Sequence, residues 1–248
     1  MAKKKGSMLG GIHPAVISVW AALIAAAHLL PAIVLVGTGG TMSVSAILVP
    51  LAGVLFGPVA GTLVGCIGQF IGFLIAPSGA WLGMFTFTIG TVTALTTGLA
   101  SRGKGPIALV INLLVIGMWY AQEIGRKAWI FGLVNGAYGI LCLLIATFIG
   151  KKFIMSKNVV KQAIGIFTCC CGGMMTSLMY ANDLSLYLFK TPAITWKVLT
   201  FVSPVERSIF AAAAVIIGIP LLRGLPKVGI FVGPQPDVDV SAEDEEVI

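Results

Sequence analysis

The sequence predicts an all-helical integral membrane protein, a bundle of six to eight transmembrane helices with both termini in the cytoplasm. Of the 248 residues, 58% are hydrophobic and only 10% are charged, whereas a soluble domain carries about 25% charged residues. Six of the nine acids lie in the last twelve residues, and the first hundred residues contain none. So few charges cannot solvate the surface of a globule, which excludes a soluble enzyme, a nucleic-acid-binding domain and a disordered chain.

Apolar segments follow one another along most of the chain. A bilayer core of about 30 Å needs about 20 mostly apolar residues per helix. The candidate segments are residues 13–36, 43–56, 57–76, 81–101, 105–122, 128–150, 160–182 and 204–223. The second is short for a full span and joins the third through Phe56-Gly57-Pro58, which predicts a tight or broken helical hairpin. Eight segments are therefore expected, with six full spans as the main alternative.

The domain organisation follows from these segments. Residues 1–12 form a basic cytoplasmic N-terminus, and residues 13–227 form a single helical membrane domain. The first segment is too long for a signal peptide and is interpreted as a retained helix. Residues 228–248 are acidic and are predicted to be a disordered cytoplasmic tail.

Basic residues in the connecting loops predict the orientation. Cytoplasmic loops of membrane proteins are enriched in Lys and Arg. An eight-segment chain places eleven basic residues inside: Lys3, Lys4, Lys5, Arg102, Lys104, Lys151, Lys152, Lys157, Lys161, Arg223 and Lys227. Five lie outside: Arg126, Lys127, Lys190, Lys197 and Arg207. The pI near 9.3 thus reflects orientation in the plasma membrane of a prokaryote, and no nucleic-acid partner is expected.

This topology places the three remaining acids, Glu123, Asp183 and Glu206, at or near the outer face, beside basic and aromatic residues. We therefore expect an outward-facing polar pocket in which aromatic planes stack a heterocycle and mixed charges hold its polar ends. The candidate substrate-binding residues are Trp81, Trp119, Glu123, Arg126, Tyr180, Asn182, Asp183 and Arg207. For Glu206 the alternative is structural, since Ser203-Pro204-Val205-Glu206 has the pattern of a helix-capping box.

Small residues recur at a spacing of four in two segments. Gly53, Gly57, Gly61 and Gly65 would share one face of an uninterrupted helix. Such a face permits close helix packing, and the alternatives are ordinary packing inside the chain or a surface that slides or docks. The first segment carries two alanine pairs with the same alternatives, internal packing or docking of a partner membrane subunit: Ala21 with Ala25 and Ala22 with Ala26.

For the isolated polar residues and the cysteines, helix packing is the alternative to a role in ligand or metal binding. Gln69, Asn112 and Asn135 lie in apolar segments, where bonding across helices competes with ligand binding. The run Cys169-Cys170-Cys171 makes a poor metal site because consecutive helical residues point in different directions, so packing is expected. His13 and His28 lie too far apart in one helix to share a metal. No metal or other cofactor is expected.

Motifs for catalysis and nucleotide binding are missing from the sequence. It contains no G-x-x-x-x-G-K-[ST], no H-E-x-x-H and no G-x-S-x-G, so neither ATP binding through a P-loop nor a familiar enzyme is expected. In the expected topology no carboxylate lies in mid-membrane, which counts against a proton relay.

Two stretches resemble the substrate-binding (S) component of energy-coupling factor (ECF) transporters. Residues 47–76, ILVPLAGVLFGPVAGTLVGCIGQFIGFLIA, are similar to that family's short helix, Phe-Gly-Pro turn and Gly-rich helix. Residues 202–222, VSPVERSIFAAAAVIIGIPLL, resemble its last helix. Together they cover about a fifth of the chain. The Met-His start of the nickel and cobalt members is absent, so a metal substrate is not expected.

The resemblance implies a function and a set of partners. It implies a vitamin-like organic ligand, bound on the extracellular side, and import driven by a membrane coupling subunit with two ATPase subunits on other chains. It also assigns an alanine pair of the first helix, Ala21/Ala25 or Ala22/Ala26, to the contact with the coupling subunit. The alternative function is a stand-alone secondary transporter or channel for a small solute.

Overall fold

The protein is a bundle of helices. The computed structural model describes residues 12–30, 33–34, 41–77, 80 and 82–235. The α-helices are α1 (Pro14–Ala26), α2 (Ser45–Ile75), α3 (Thr86–Ser101), α4 (Gly105–Ala121), α5 (Glu123–Lys127), α6 (Trp129–Ile145), α7 (Lys151–Ile154), α8 (Val159–Phe189) and α9 (Ala193–Gly224). A π-helical turn, Ala146–Gly150, joins α6 to α7. Two short strands, β1 (Ile33–Val34) and β2 (Thr41–Met42), pair antiparallel.

Several of these helices are long and apolar enough to cross a membrane, as the composition predicts. Within the described residues there are five, each with its adjoining turns: Ser45–Ile75, Gly83–Ser101, Trp129–Ile154, Val159–Phe189 and Ala193–Val228. Pro14–Leu29 and Gly105–Ala121 are shorter apolar helices. The segments predicted from the sequence overlap these helices. The first helix is shorter than the predicted segment 13–36, since a strand occupies Ile33–Val34, and the last two helices are longer than predicted.

Helix α2 reverses direction at Gly57. This residue has φ +79° and ψ −173°, a left-handed conformation that favours glycine. A Cβ built on Gly61 would lie 2.6 Å from the carbonyl oxygen of Ala52, whereas residues nine apart in a straight helix are separated by about 13 Å. The first arm, residues 45–56, and the second arm, residues 58–75, therefore lie side by side, which confirms the predicted hairpin.

The hairpin turn is held by contacts from two other parts of the chain. The Leu55 carbonyl oxygen accepts hydrogen bonds from Arg102 Nη2 at 3.1 Å and from the Gly233 backbone N–H at 2.7 Å. These donors satisfy a carbonyl that the end of the first arm leaves without a helical partner. Burial lowers the pKa of Arg102 to about 10, so the guanidinium stays charged at neutral pH.

The segment after α9 is part of the packed structure. Val232, Gly233 and Pro234 are buried, and Gly233 donates to the hairpin turn. The predicted boundary of a disordered tail at residue 228 is therefore wrong by several residues, because this segment is fixed by burial and by a backbone hydrogen bond. The acidic residues that follow lie outside the described residues.

The glycines pack against α3, but they do not form one ridge. A Cβ on Gly53 in the first arm would lie 2.5 Å from Ala94 O, and one on Gly65 in the second arm would lie 2.9 Å from Gly90 O. A single helical face through Gly53, Gly57, Gly61 and Gly65 required an uninterrupted helix, and this condition is not met because the helix reverses at Gly57. The packing alternative is confirmed, since both arms approach the α3 backbone closely.

The two alanine pairs of α1 have different environments. Ala21 and Ala25 are buried, and a Cβ on Gly68 would lie 2.9 Å from Ala21 O, so this pair packs against the second arm of α2. Ala22 and Ala26 are exposed on the surface of the bundle. Of the two pairs assigned to partner docking, Ala21 and Ala25 are therefore not accessible to another chain.

Helix α9 begins at Ala193, eleven residues before the predicted segment. The capping-box interpretation of Ser203 and Glu206 is wrong, because no helix begins there. Glu206 and Arg207 lie near the middle of α9 and not at the outer face. The expectation that no carboxylate lies within a membrane-spanning helix is wrong for the same reason.

Basic side chains collect at one end of the bundle. Contacts bring together the hairpin turn, the α3–α4 connection, α7 and the end of α9: Arg102 reaches Leu55, Lys151 lies against Gly103, and Arg223 bonds to Gln162 and to the Lys157 carbonyl. We call this end the basic end. The opposite end holds the α4–α6 and α8–α9 connections.

Candidate binding site

Two polar residues near the end of α8 face the interior of the bundle. Asn182 and Asp183 are 4% and 2% exposed. Met179 and Leu186, which share this helical face by their spacing, pack in a cluster with Trp119, Phe131 and Trp196. The polar pair therefore lies beside an aromatic cluster, at the end of the bundle opposite the basic end.

The hydrogen bonding of this pair is incomplete within the described residues. Gln122 Nε2 donates to the Asp183 backbone oxygen at 3.4 Å and to its Oδ1 at 3.5 Å, both long bonds. Asp183 Oδ2 and Asn182 Nδ2 have no protein partner in the described part of the chain, and neither does Trp119 Nε1. Buried polar groups are nearly always hydrogen-bonded, so each of these atoms indicates a position for a polar ligand atom or water. Asp183 offers a carboxyl oxygen and Asn182 an amide donor, and the Trp119 indole N–H, which lies against Gly132 of α6, is a further donor.

Trp119 is packed inside the aromatic cluster, so its ring faces are not open for a ligand to stack on. Its ring lies 4.9 Å from that of Phe131 and 5.1 Å from that of Trp196, the latter nearly perpendicular. The indole is fully buried. The expectation that it stacks a heterocycle is not met, because neighbouring rings of the protein occupy those positions. Its N–H remains a candidate donor.

Tyr180 faces a different neighbour from Asp183. Its hydroxyl donates to Thr88 Oγ1 of α3 at 3.2 Å, and its side chain is half-buried. This contact fixes the end of α8 against α3. Tyr180 therefore borders the polar pair on the α3 side.

Glu123 and Arg126 lie on the surface of the short helix α5. Glu123 Oε1 accepts a hydrogen bond from Lys127 Nζ at 2.7 Å, and both side chains are largely exposed. The hydrogen bond and charge of Lys127 hold the pKa of Glu123 below its usual range. Arg126 is exposed. The structure therefore does not bring these two side chains to the buried pair, although Gln122 next to them reaches it.

Arg207 lies at a different depth from Asp183. Its charge interacts with the neighbouring Glu206 and with Cys171. Cys171 precedes Asp183 by twelve residues of α8, which is about 18 Å along a helix. The expectation of one pocket containing both is wrong, because α9 begins earlier than predicted. Trp81, the remaining predicted residue, lies outside the described residues.

Gln122, Phe131 and Trp196 belong to the site but are not among the residues predicted from the sequence. Gln122 is uncharged and was passed over in favour of Glu123 beside it, although an amide can donate to a buried carboxyl. Phe131 lies inside an apolar segment, where nothing distinguishes it from lipid-facing residues. Its position two residues after Trp129 gave the only local signal, an aromatic enrichment at that helix start.

The amides elsewhere in the bundle bond across helices, as expected. Asn112 Nδ2 donates to Thr176 Oγ1 at 2.9 Å, and Asn135 Nδ2 donates to Thr200 O at 3.3 Å. Gln69 bonds to Ser45 and to His28, linking α2 to the end of α1. These contacts support the packing interpretation for Gln69 and for the amide nitrogens of Asn112 and Asn135, whose Oδ1 atoms have no partner among the described residues.

The cysteines are mostly buried packing residues. Cys142 and the run from Cys169 to Cys171 are buried, and Cys66 is half-buried. In the described part of the chain, no group of three or more His, Cys, Asp or Glu side chains is arranged to hold a metal ion.

Comparisons with known proteins show one distant relative. The chain is 23% identical over 143 residues to a protein of Methanocaldococcus jannaschii described as uncharacterized. The match covers 58% of this chain and 48% of the relative, so the chain spans about half the length of the relative it matches. No family model matches, and no solved structure matches.

Proposed function

We propose that this chain is the membrane substrate-binding subunit of an ATP-driven importer of the ECF type, specific for a small organic micronutrient such as a vitamin. The observation that carries the proposal is the buried Asn182–Asp183 pair. Its free polar atoms lie beside an aromatic cluster, and apolar walls with a few converging polar groups are typical of small-molecule sites. The resemblance of the Gly57 hairpin segment to S components supports the same class.

The orientation belongs to this proposal. With the basic end in the cytoplasm, as the distribution of Lys and Arg favours, the Asn182–Asp183 pair lies near the extracellular surface. Both termini then lie in the cytoplasm of a prokaryotic cell. A ligand arriving from outside would meet the polar pair first.

The partners follow from what the chain lacks and from what it exposes. It has no P-loop, so ATP hydrolysis would come from two ATPase subunits through a membrane coupling subunit. Ala22 and Ala26 give α1 an exposed, shallow surface on which the backbone of another membrane helix can approach closely. We assign the contact with the coupling subunit to this pair.

Ligand binding by variants of Asp183 tests the proposed site. Mass spectrometry of the purified chain identifies the co-purifying ligand, and calorimetry then measures its affinity. A hydrogen bond between neutral groups contributes about 0.5–1.5 kcal/mol, so Asp183→Ala is expected to weaken binding by about 2- to 10-fold. Glu123→Gln is the matched control, because that carboxylate is exposed and should leave affinity unchanged. Equal affinity of the Asp183→Ala variant and the unmodified chain would exclude this site.

A secondary transporter is the second candidate, and the position of Glu206 and Arg207 favours it. Ionisable residues within membrane helices often belong to ion or substrate pathways, and both lie near the middle of α9. In this case the purified chain alone would take up solute into liposomes. Uptake that requires added ATPase and coupling subunits would support the first proposal instead.

A further inference from the structure

A cavity of about 430 Å³ lies at the basic end, away from the proposed ligand site. It is bounded by the α7–α8 connection, the end of α9 and the segment that follows α9. Its polar lining includes Lys157, Gln162 and Arg223, and none of the described residues that line it is acidic. Its volume is within the range of small-ligand sites, about 300–1,000 Å³.

The guanidinium of Arg223 is held in a fixed position at this cavity. Its Nε donates to Gln162 Oε1 and its Nη2 donates to the Lys157 carbonyl oxygen, both at 2.8 Å. Gln162 is 5% exposed and itself donates to Ile154 O at 3.1 Å. These bonds use two of the five N–H donors of the guanidinium, and its planar fork matches the oxygens of a phosphate.

Further positive charge surrounds this arginine. Lys157 also lines the cavity, and α8 begins two residues later, so the positive end of its helix dipole lies beside the cavity. Lys152 in α7 and Lys161 at the start of α8 lie at the same end of the bundle. An anion at this position would therefore be stabilised by several charges.

Part of the cavity lining is apolar. Met155 and Phe231 line the cavity and are 40% and 69% exposed, and Leu222 and Pro226 line it as well. A free anion would gain nothing from these apolar side chains, whereas the acyl chain of a lipid would bury against them. In the proposed orientation the end of α9 lies on the cytoplasmic side of the bundle.

We propose that this cavity binds the phosphate of an anionic phospholipid, with the headgroup on Arg223 and Lys157 and an acyl chain along Met155 and Phe231. Basic pockets between membrane helices on the cytoplasmic side bind such headgroups. The site stabilises the joint between α7, α8, α9 and the hairpin turn. It is independent of the transported ligand.

Native mass spectrometry of the full chain in detergent tests this site, with phosphatidylglycerol, phosphatidylcholine and inorganic phosphate as separate probes. We expect phosphatidylglycerol to be retained and to raise the unfolding temperature, and the other two probes to do neither. Stabilisation by inorganic phosphate equal to that by phosphatidylglycerol would assign the cavity to free phosphate and overturn the lipid proposal.

Substitutions of Lys157 and Arg223 test whether phosphatidylglycerol binds in this cavity. Lys157→Gln keeps the carbonyl that orients Arg223 and should lower phosphatidylglycerol retention about fivefold, the effect of one basic residue near an anionic headgroup. Arg223→Gln should lower it further. Lys104→Gln is the control, because Lys104 is an exposed cation that does not line the cavity. Equal retention by the Lys157→Gln and Lys104→Gln variants would overturn the proposal.

Discussion

Pro204 leaves a backbone carbonyl of α9 without a helical donor, and a neighbouring helix supplies one. The proline lies inside α9 and has no N–H, so the carbonyl oxygen of Thr200, four residues earlier, loses its helical donor. Asn135 Nδ2 of α6 donates to that oxygen at 3.3 Å. A buried amide that looks like a binding residue in the sequence thus completes the backbone bonding of another helix, as proline-containing membrane helices require.

A double-mutant cycle tests this role of Asn135. Asn135→Leu should lower the free energy of unfolding by about 1 kcal/mol, because it leaves the Thr200 carbonyl without a donor. In a Pro204→Ala background the new N–H restores the helical bond, so the loss from Asn135→Leu should be smaller. Unfolding in mixed micelles measures both values.

Pro220 offers the control for this cycle. It also interrupts α9, but lies sixteen residues from Pro204, so Pro220→Ala should leave the cost of Asn135→Leu unchanged. The same cost in the Pro204→Ala background as in the unmodified chain would contradict the assignment.

At the scale of single residues, the sequence identified the buried pair Asn182–Asp183 but misplaced Arg207. The predicted last segment begins at residue 204, since Lys197 interrupts the apolar residues that precede it. In the structure Lys197 is exposed on α9, where a long basic side chain can extend to the interface. A charge that the helix tolerates was therefore mistaken for a loop residue.

At the scale of elements, α1 has one face for its own bundle and one face for its surroundings. The spacing of the alanines makes both pairs equal candidates for docking a partner. Only the position of α2 in the fold shows which pair is buried. Ala21 and Ala25 face the second arm of α2, whereas Ala22 and Ala26 are exposed. Burial of one pair depends on Gly68, far away in sequence, and hence could not be read from α1 alone.

A bulky residue on the exposed face tests the docking surface. Ala22→Phe should reduce co-purification with the coupling subunit, because a large side chain prevents close helix approach, and should leave ligand affinity unchanged. Ala212→Phe is the matched control, since Ala212 is exposed on α9. Unchanged co-purification of the Ala22→Phe variant, with normal folding, would remove α1 from the interface.

At the scale of the whole molecule, the distribution of charge predicts the orientation. Single cysteines replacing Lys157 and Lys190, in a chain with Cys66→Ser, should react with a membrane-impermeant thiol reagent from opposite sides. We expect Lys157→Cys to react only in inverted vesicles and Lys190→Cys in intact cells, because the proposed orientation places the basic end in the cytoplasm. The four other cysteines are buried and should stay unlabelled. The reverse pattern would invert the orientation and place the Asn182–Asp183 pair inside the cell.

Most of the bundle could be predicted from hydropathy, since the predicted segments correspond to α1, the two arms of α2, α3, α4, α6, α8 and α9. The hairpin at Gly57 was also predictable, because Gly-Pro after an apolar run both permits a positive φ and stops a helix. The packing of the hairpin turn at the basic end could not be predicted. It depends on hydrogen bonds from Arg102 and Gly233 to the Leu55 carbonyl oxygen. These residues are distant in sequence, so no local sequence pattern predicts the contact.

The hairpin of α2 has a consequence for mapping this protein in cells. Reporter enzymes fused after successive truncation points reveal topology only when each retained segment inserts by itself. The first arm is too short to cross a bilayer alone and depends on the second arm and α3 for its packing. A fusion ending between residues 45 and 57 would therefore report a location that the complete chain never adopts. Reporters inserted into the intact chain avoid this error.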